Sequence, residues 1–503
     1  MSDEQPTSRR AARERAGAAA APAEPGGSGG FLAMVRRHPL AWIVSAGAVV
    51  FVLLGTGSVF AGVAWASRPA TAATPTPSDT PTEEAPRPVA DSVADPARVR
   101  TCSVASVASA SSIATLYGSV IRQDTGKALF ARHAADPAPP ASVLKLFTAS
   151  AAIAALGGDY RITTSVYEGS APGTIVLVGR GDATLSQLPE GSESVYAGAP
   201  KLQTLAEETV AAYQARYPGV PITQVVLDAT YWDESDSWLP SWREDQRTQG
   251  YQSAATALQV DGDRADPRAA VSPRSTDPIG RAGQKFLDAL RAADPGGVVD
   301  AAVATSRGKA VGSTVLSEVQ SQPVSTLVRQ MLIPSDNALG EMLARIVSVK
   351  TGQGGSAASL QTAVLSQLSQ WGVPLADTTI VDGSGLSPQN AVPAKSFSTL
   401  MRAIADGTDG LSAVRDGLSK AGESGTLAGR FTGDNAASRG HVVAKSGMIR
   451  GSYTLSGIID AADGTTLVFT FYAARDGVDS SAREGLDALT TAVYRCGDNL
   501  SNK

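Results

Sequence analysis

The chain has 503 residues, a formal net charge of −5 and 43% apolar residues. That length calls for two or more domains with enough apolar content for packed cores, and the acidic balance excludes a basic nucleic-acid surface. Three His (His38, His133, His441) and two Cys (Cys102, Cys496) are too few and too scattered for a zinc site, so neither a metal nor another cofactor is expected.

Residues 1–39 are small and polar and read as a disordered tail. From Pro39 to Ser67 no residue is charged. Residues 40–66 would make a helix of roughly 40 Å at 1.5 Å per residue, enough for a bilayer core of about 30 Å. Arg36 and Arg37 abut its N-terminal end. The pattern predicts a single-pass anchor in a lipid bilayer, with the tail cytoplasmic and the rest of the chain outside the cell membrane. Ala64-Trp65-Ala66 resembles a signal cleavage site and leaves a cleaved, secreted form as the alternative. Residues 67–100 hold seven prolines and read as an extended spacer. Cys102 and Cys496 then bracket the remainder. In an exported protein a disulfide between them is expected over two free thiols.

Residues 114–121 and 128–132 read as strands joined at Asp124-Thr125-Gly126, a hairpin signal. Next comes Pro140-Ala141-Ser142-Val143-Leu144-Lys145, opening a helix to Leu156 that is apolar almost all round and therefore buried. Residues 161–167, 174–178 and 222–228 read as strands, and 202–217 as a helix. Trp232, Trp238 and Trp242 lie in a loop-like stretch. Helices are expected at 283–293, 324–332, 338–350, 358–372 and 396–405, with a turn-rich loop at 380–390. Residues 442–444, 453–460 and 466–473 alternate as adjacent antiparallel strands, and 480–495 closes the chain as a helix. The order gives an α+β fold with an antiparallel sheet and flanking helices.

Ser142 and Lys145 stand three residues apart, on one face of a buried helix start. A lysine there must find partners or lose its proton, and a serine hydroxyl becomes a nucleophile when a base takes its proton. An N-terminal cap followed by a snorkelling lysine is the plainer reading of these two residues alone. Two later segments change it: Ser335-Asp336-Asn337 leading into a helix, and Lys445-Ser446-Gly447 on a strand just before a turn. Ser-x-x-Lys, Ser-x-Asn and Lys-Ser-Gly in that order form the signature of penicillin-recognising acyl-serine enzymes.

From about Leu116 to its end the chain resembles the S13 peptidase family, low-molecular-mass penicillin-binding proteins of the D-alanyl-D-alanine carboxypeptidase/endopeptidase type. The resemblance also rests on Gly181-Asp182-Ala183-Thr184-Leu185, on Glu341, on Asp382-Gly383-Ser384-Gly385-Leu386-Ser387, on Gly425-Thr426-Leu427 and on Ala444 before Lys445. It implies a β-lactamase/DD-peptidase-like domain at 101–163 and 313–503, with an inserted α/β domain at 164–312. The insert is shorter than in larger family members, with a third domain missing or trimmed. The implied substrates are peptidoglycan stem peptides ending in D-Ala-D-Ala, with β-lactam antibiotics as covalent inhibitors.

The implied roles follow residue by residue. Ser142 attacks the penultimate D-Ala carbonyl. Lys145, kept neutral by burial and by cationic Lys445, takes its proton. Ser335 relays a proton to the leaving amine, and Asn337 orients the peptide and Lys145. Lys445 and Ser446 bind the terminal carboxylate, and the N–H groups of Ser142 and Met448, after Gly447, form the oxyanion hole. Ser384, Trp242 and Asp245 are further substrate-binding candidates, Asp245 for a side-chain ammonium or as ordinary surface charge. Two departures stand out: Met448 lacks the hydroxyl many relatives carry there, and Pro388 stands where some place an arginine. The resemblance further implies that the N- and C-terminal helices pack side by side, within reach of a Cys102–Cys496 bond. A class A β-lactamase and a catalytically idle cell-wall scaffold are the competing readings.

Overall fold

A computed structural model of the chain describes residues 99–502 except Pro295. The tail at 1–39, the anchor expected at 40–66 and nearly all of the spacer lie outside the described residues. Among the described residues no helix is long and apolar enough to cross a membrane. The described residues belong to one compact unit.

In chain order the main elements are β1 (Thr115–Arg122), β2 (Ala128–Arg132), α1 (Lys145–Leu156), β3 (Thr163–Glu168), β4 (Thr174–Val178), α2 (Leu202–Arg216), β5 (Ile222–Asp228) and α3 (Pro278–Ala292). There follow β6 (Val299–Arg307), β7 (Val315–Gln320), α4 (Val324–Leu332), α5 (Asn337–Lys350), α6 (Leu360–Leu368) and α7 (Ala394–Asp406). The chain closes with β8 (Ser419–Lys420), β9 (Val442–Ile449), β10 (Ser452–Asp460), β11 (Thr466–Ala474) and α8 (Ser481–Cys496). The central sheet runs β8-β9-β10-β11-β1-β2, antiparallel throughout. This is the α+β layout expected. A second, mixed sheet runs β6-β5-β4-β3-β7, with β4, β5 and β6 parallel.

The central sheet is covered on both faces, which is why β10 and β11 are buried nearly throughout instead of alternating with exposed positions. On one face Leu486, Leu489 and Val493 of α8 pack with Leu116, Val120, Leu455, Phe469 and Phe471. On the other, α7 brings Phe397 within 4.2 Å of Phe147, ring centroid to centroid, in the core that holds α1. Every α1 residue from Lys145 to Ile153 is buried. A helix apolar almost all round has no solvent face to offer, so it becomes the central rod of the helical layer. Truncating Phe147 there would cost about 3–5 kcal/mol.

The stretch 164–312, joined by β7 just beyond it, divides in its packing. β3–β7, α2 and α3 share their own core, including Val166, Leu205, Val225 and Phe286. Tyr196, Trp232, Leu239, Trp242, Ala255 and Ala257 instead pack into the core of α1. Loop residues of the intervening stretch therefore reach the helix that carries Lys145.

Cys102 and Cys496 are disulfide-bonded, with Cα atoms 5.5 Å apart. The bond is flanked by a short parallel pairing of Cys102–Ser103 with Leu500–Ser501. From the N-terminal side a one-turn helix, Ala105–Ala108, and a 3₁₀ turn, Ser111–Ile113, pack on α8, the side-by-side placing of N- and C-terminal helices that the resemblance implied.

β6 and β7 were not legible in the sequence. β6 is a mostly exposed edge strand of small and polar residues, with only Val303 buried, so the alternation that marks a half-buried strand is missing. Helix α3 starts a turn earlier than its apolar pattern suggests, because Asp277 caps it and Pro278 occupies its first turn.

Candidate active site

Ser142 lies in a 3₁₀ turn, Ala141–Leu144, that runs directly into α1, so the helix proper begins at Lys145 and not at Ser142. Ala141 holds a left-handed φ of 47°, a conformation that costs a non-glycine residue about 1–3 kcal/mol. Its carbonyl lies so close to Gly385 that any side chain there would collide with it. Gly447 does the same from the opposite side: a Cβ on it would come within 2.7 Å of the Ser142 amide nitrogen. Two glycines thus let the loop at 382–387 and strand β9 close on the Ser142 turn.

Lys145 is fully buried, and its Nζ lies 3.0 Å from Ser142 Oγ, 2.7 Å from Asn337 Oδ1 and 2.7 Å from the Ser384 carbonyl oxygen. Asn337 is the first residue of α5, and its Nδ2 donates to the Tyr251 carbonyl at 3.1 Å, which turns Oδ1 toward Lys145. Burial pushes Lys145 down to about 8, against the opposing pull of Asp382, then Glu341, then Asp336. Lys445, also buried, is pushed down by burial first, then by the charges of Lys145 and Arg430. The repulsion between the two lysines, expected to act on Lys145, therefore tells on Lys445, and burial itself loosens the Lys145 proton.

Lys445 Nζ donates to Ser335 Oγ at 2.9 Å and to the Ser446 carbonyl at 2.7 Å. Ser335 stands at φ 64°, again left-handed. Ser446 Oγ bonds Thr426 Oγ1 at 2.7 Å, bringing the Gly425-Thr426-Leu427 turn to the same edge. β9 continues through Lys445-Ser446-Gly447 to Ile449, longer than the strand of 442–444 read from the sequence. Val442 accepts from Ala421 on the β8 side. Alternate residues of a strand share a side, so the Met448 N–H faces that same edge beyond the end of β8. It is there, beside Gly447, that the Ser142 amide comes close. The Met448 side chain is 57% exposed.

The loop at 382–387 is built as a rigid arch. Asp382 accepts from Trp242 Nε1 (2.9 Å), Gly385 N (2.8 Å), Ser387 N (2.6 Å) and Asn390 Nδ2 (2.8 Å). Glu341 of α5 accepts from Gly383 N (3.1 Å) and Ser384 N (2.8 Å). Burial, then the Asp382 charge, raises Glu341 to about 7. Both Glu341 oxygens are engaged by the arch, which leaves this carboxylate holding backbone and not activating water.

Three sequence-derived candidates take other places. Ser384 has a buried side chain and offers Lys145 its carbonyl oxygen; it presents no hydroxyl to a substrate. Trp242 is buried and braces Asp382, so it supports the arch from behind. Asp245 opens a short helix, Asp245–Thr248, and is paired with Arg243 and bonded by Gln249 at 3.1 Å. Tyr251, Tyr196 and Arg264, which touch the second motif, carried no sequence signal, since each acts across 68 or more positions.

A serine and a buried lysine whose proton is loosened by burial at a helix start, faced by a second serine–lysine pair, on an antiparallel sheet with flanking helices, define an acyl-transferring serine hydrolase of the penicillin-recognising class. The D-Ala-D-Ala carboxypeptidase 3 (S13) family model matches residues 102–271 and 264–493, and the chain belongs to that family. It is 33% identical to carboxypeptidase DacB of Mycolicibacterium smegmatis over 76% of this chain and 80% of that one. It is also 33% identical to a carboxypeptidase of Mycobacterium tuberculosis, over 82% of this chain and 87% of that one. In fold it is similar to penicillin binding protein 4 of Haemophilus influenzae, with a TM-score of 0.61 at 19% identity over 75% of this chain and 95% of that one.

Proposed function

We propose that the chain is a penicillin-binding serine D-Ala-D-Ala carboxypeptidase that trims peptidoglycan stem peptides through an acyl-enzyme. The carrying observation is the set of partners around Lys145 Nζ. A neutral amine has two N–H donors and one lone pair. Asn337 Oδ1 and the Ser384 carbonyl can only accept, so they take the two N–H bonds and aim the lone pair at Ser142 Oγ, 3.0 Å away. Ser142 then attacks the penultimate D-Ala carbonyl as its proton passes to Lys145. The Ser142 and Met448 N–H groups receive the developing oxyanion. Ser335, its oxygen accepting from Lys445, relays to the departing D-Ala amine the proton that Lys145 took from Ser142 and keeps its own hydroxyl, leaving Lys145 neutral again. Protonated Lys445 and Ser446 hold the terminal carboxylate, and water releases the acyl group.

Lys445 and Ser446 favour trimming of free C-termini. Action as an endopeptidase needs a leaving amine that carries a longer chain at this edge. The uncharged stretch at 40–66 behind Arg36 and Arg37, together with the disulfide, supports a catalytic unit held outside the cell by a single-pass membrane anchor. The engagement of both Glu341 oxygens argues against a fast β-lactamase. The test is a fluorescent penicillin with purified protein and release of D-Ala from a pentapeptide. Stoichiometric labelling with slow release and D-Ala production is expected. Fast turnover of the penicillin would assign a β-lactamase, and no labelling a scaffold.

A further inference from the structure

We propose that Arg264 is a positioning residue for this reaction: its guanidinium, braced by Tyr196, clamps the carboxylate of Asp336 and so fixes Ser335 and Asn337 on either side of it. Arg264 Nη2 donates to Asp336 Oδ2 at 2.5 Å, and both side chains are 4% exposed. Tyr196 Oη donates to the same oxygen at 3.0 Å and accepts from Arg264 Nη1 at 2.6 Å, closing a three-membered ring of bonds. The other oxygen, Oδ1, caps α5 through the Leu339 N–H at 3.0 Å.

A helix cap needs only one oxygen, and a serine or asparagine supplies it without burying a charge. A buried carboxylate is costly unless it is paired. The aspartate therefore adds a second contact, and that contact reaches into the stretch between β4 and α3, outside the elements that carry Ser142 and Lys445. The same stretch holds the neighbouring residue as well. Arg274, bridged to Arg264 as an antiparallel partner, donates from Nη2 to the Gly250 carbonyl at 3.2 Å. Gly250 precedes Tyr251, whose carbonyl turns the Asn337 amide. Ser335 at its left-handed φ lies between this clamp and Lys445. The two arginines thus set the second motif from the intervening stretch, one through Asp336 and one through Asn337.

The clamp also shapes the field at the base. Lys145 is faced by Asp382 from the arch, Glu341 from α5, Asp336 from the motif and Lys445 from β9. Asp336 is faced by Arg264, Arg274 and Tyr196. Burial alone would raise Asp336, but Arg264, then Arg274, hold it at about 2. Without the Arg264 charge, the Asp336 carboxylate acts on Lys145 less opposed and favours its protonated form.

This inference rests on Ser142 and Lys145 being the acylating pair. The test is Arg264→Gln in the full chain, with active sites counted by penicillin titration and rates quoted per active site. Acylation should fall about 10–100-fold, the cost of a misplaced reacting group, with KM for the peptide nearly unchanged. The midpoint of its pH profile should move up by ~0.5 unit or more. Arg264→Lys, which keeps the charge, should restore the midpoint better than the rate. A purely structural Arg264 would lower the titrated fraction and the melting temperature while leaving rate per site and midpoint alone, and that result overturns the proposal. If Arg264→Gln does not fold, Tyr196→Phe decides: a several-fold loss of kcat is expected, and wild-type kcat refutes the clamp. Wild-type protein that takes no penicillin would refute the acylating pair itself, a different failure.

Discussion

Lys145 is the residue on which the chemistry turns, and its titration gives the sharpest prediction. A lysine at its ordinary value of 10.5 is neutral at pH 7 in about 3 molecules in 10,000, and one held at about 8 in roughly 9 in 100. Burial therefore multiplies the competent fraction about 300-fold, equivalent to ~3.4 kcal/mol. The second-order rate of acylation by a chromogenic penicillin should rise close to tenfold per pH unit below 8 and level off above it. Lys145→Arg should lose 10²–10⁴-fold, because guanidinium does not give up its proton. The linkage has a definite sign. The folded value lies below the unfolded one, so between pH 8 and 10.5 the unfolded chain binds more protons and the stability contributed by this group rises with pH. Stopped-flow acylation from pH 6 to 10 is the assay. A flat profile between 6 and 8, or near-normal acylation by Lys145→Arg, would refute Lys145 as the base.

Other outcomes follow from named contacts. Ser142→Ala should abolish covalent penicillin labelling and D-Ala release with melting unchanged, since it removes one oxygen at a turn; residual covalent adduct on that variant would displace Ser142 as the nucleophile. Trp242→Phe removes one of four donors from buried Asp382 and should cost about 1–3 kcal/mol of stability, with a lower kcat because the arch carries the Ser384 carbonyl; unchanged melting and kcat would show that the remaining three donors suffice. Reducing Cys102–Cys496 opens a loop spanning 394 positions, with an upper cost of about 6 kcal/mol in the chain-entropy model. Melting with and without reductant, with thiols counted, checks this, and no shift on verified reduction would count against it.

The three motifs were legible because each is a short run of special side chains, and the central sheet because β9, β10 and β11 follow one another with short turns. What was not legible acts across the fold. Nothing near Trp242 in sequence says that its indole meets Asp382, 140 positions on. The sequence offers Ser384 as a substrate-binding candidate, but it is the backbone at that point that bonds Lys145, and backbone roles leave no trace in residue type. Asp336 caps α5 with one oxygen. Its second oxygen and the arginine it meets became visible only when the stretch between β4 and α3 folded back over α5. β6, exposed and rich in alanine, lacked the pattern a strand needs to announce itself.

The two lysines must end in opposite protonation states, and the substrate itself supplies the difference. In the free enzyme both are buried and each is disfavoured as a cation, while three carboxylates near Lys145 draw a proton toward it. Under the proposed function, a substrate carboxylate held by Lys445 and Ser446 would reverse that balance. It fixes the charge on Lys445, and the Lys445 cation then repels a proton from Lys145. Binding of a free C-terminus would thus complete the base. kcat/KM reports groups of the free enzyme and kcat those of the complex, so the acid-limb midpoint of kcat should lie below that of kcat/KM for a peptide ending in D-Ala-D-Ala. With the terminal carboxylate amidated, the two midpoints should coincide and kcat should fall. Equal midpoints for the free acid would mean that the base is set by burial alone, and that Lys445 serves only to hold the substrate.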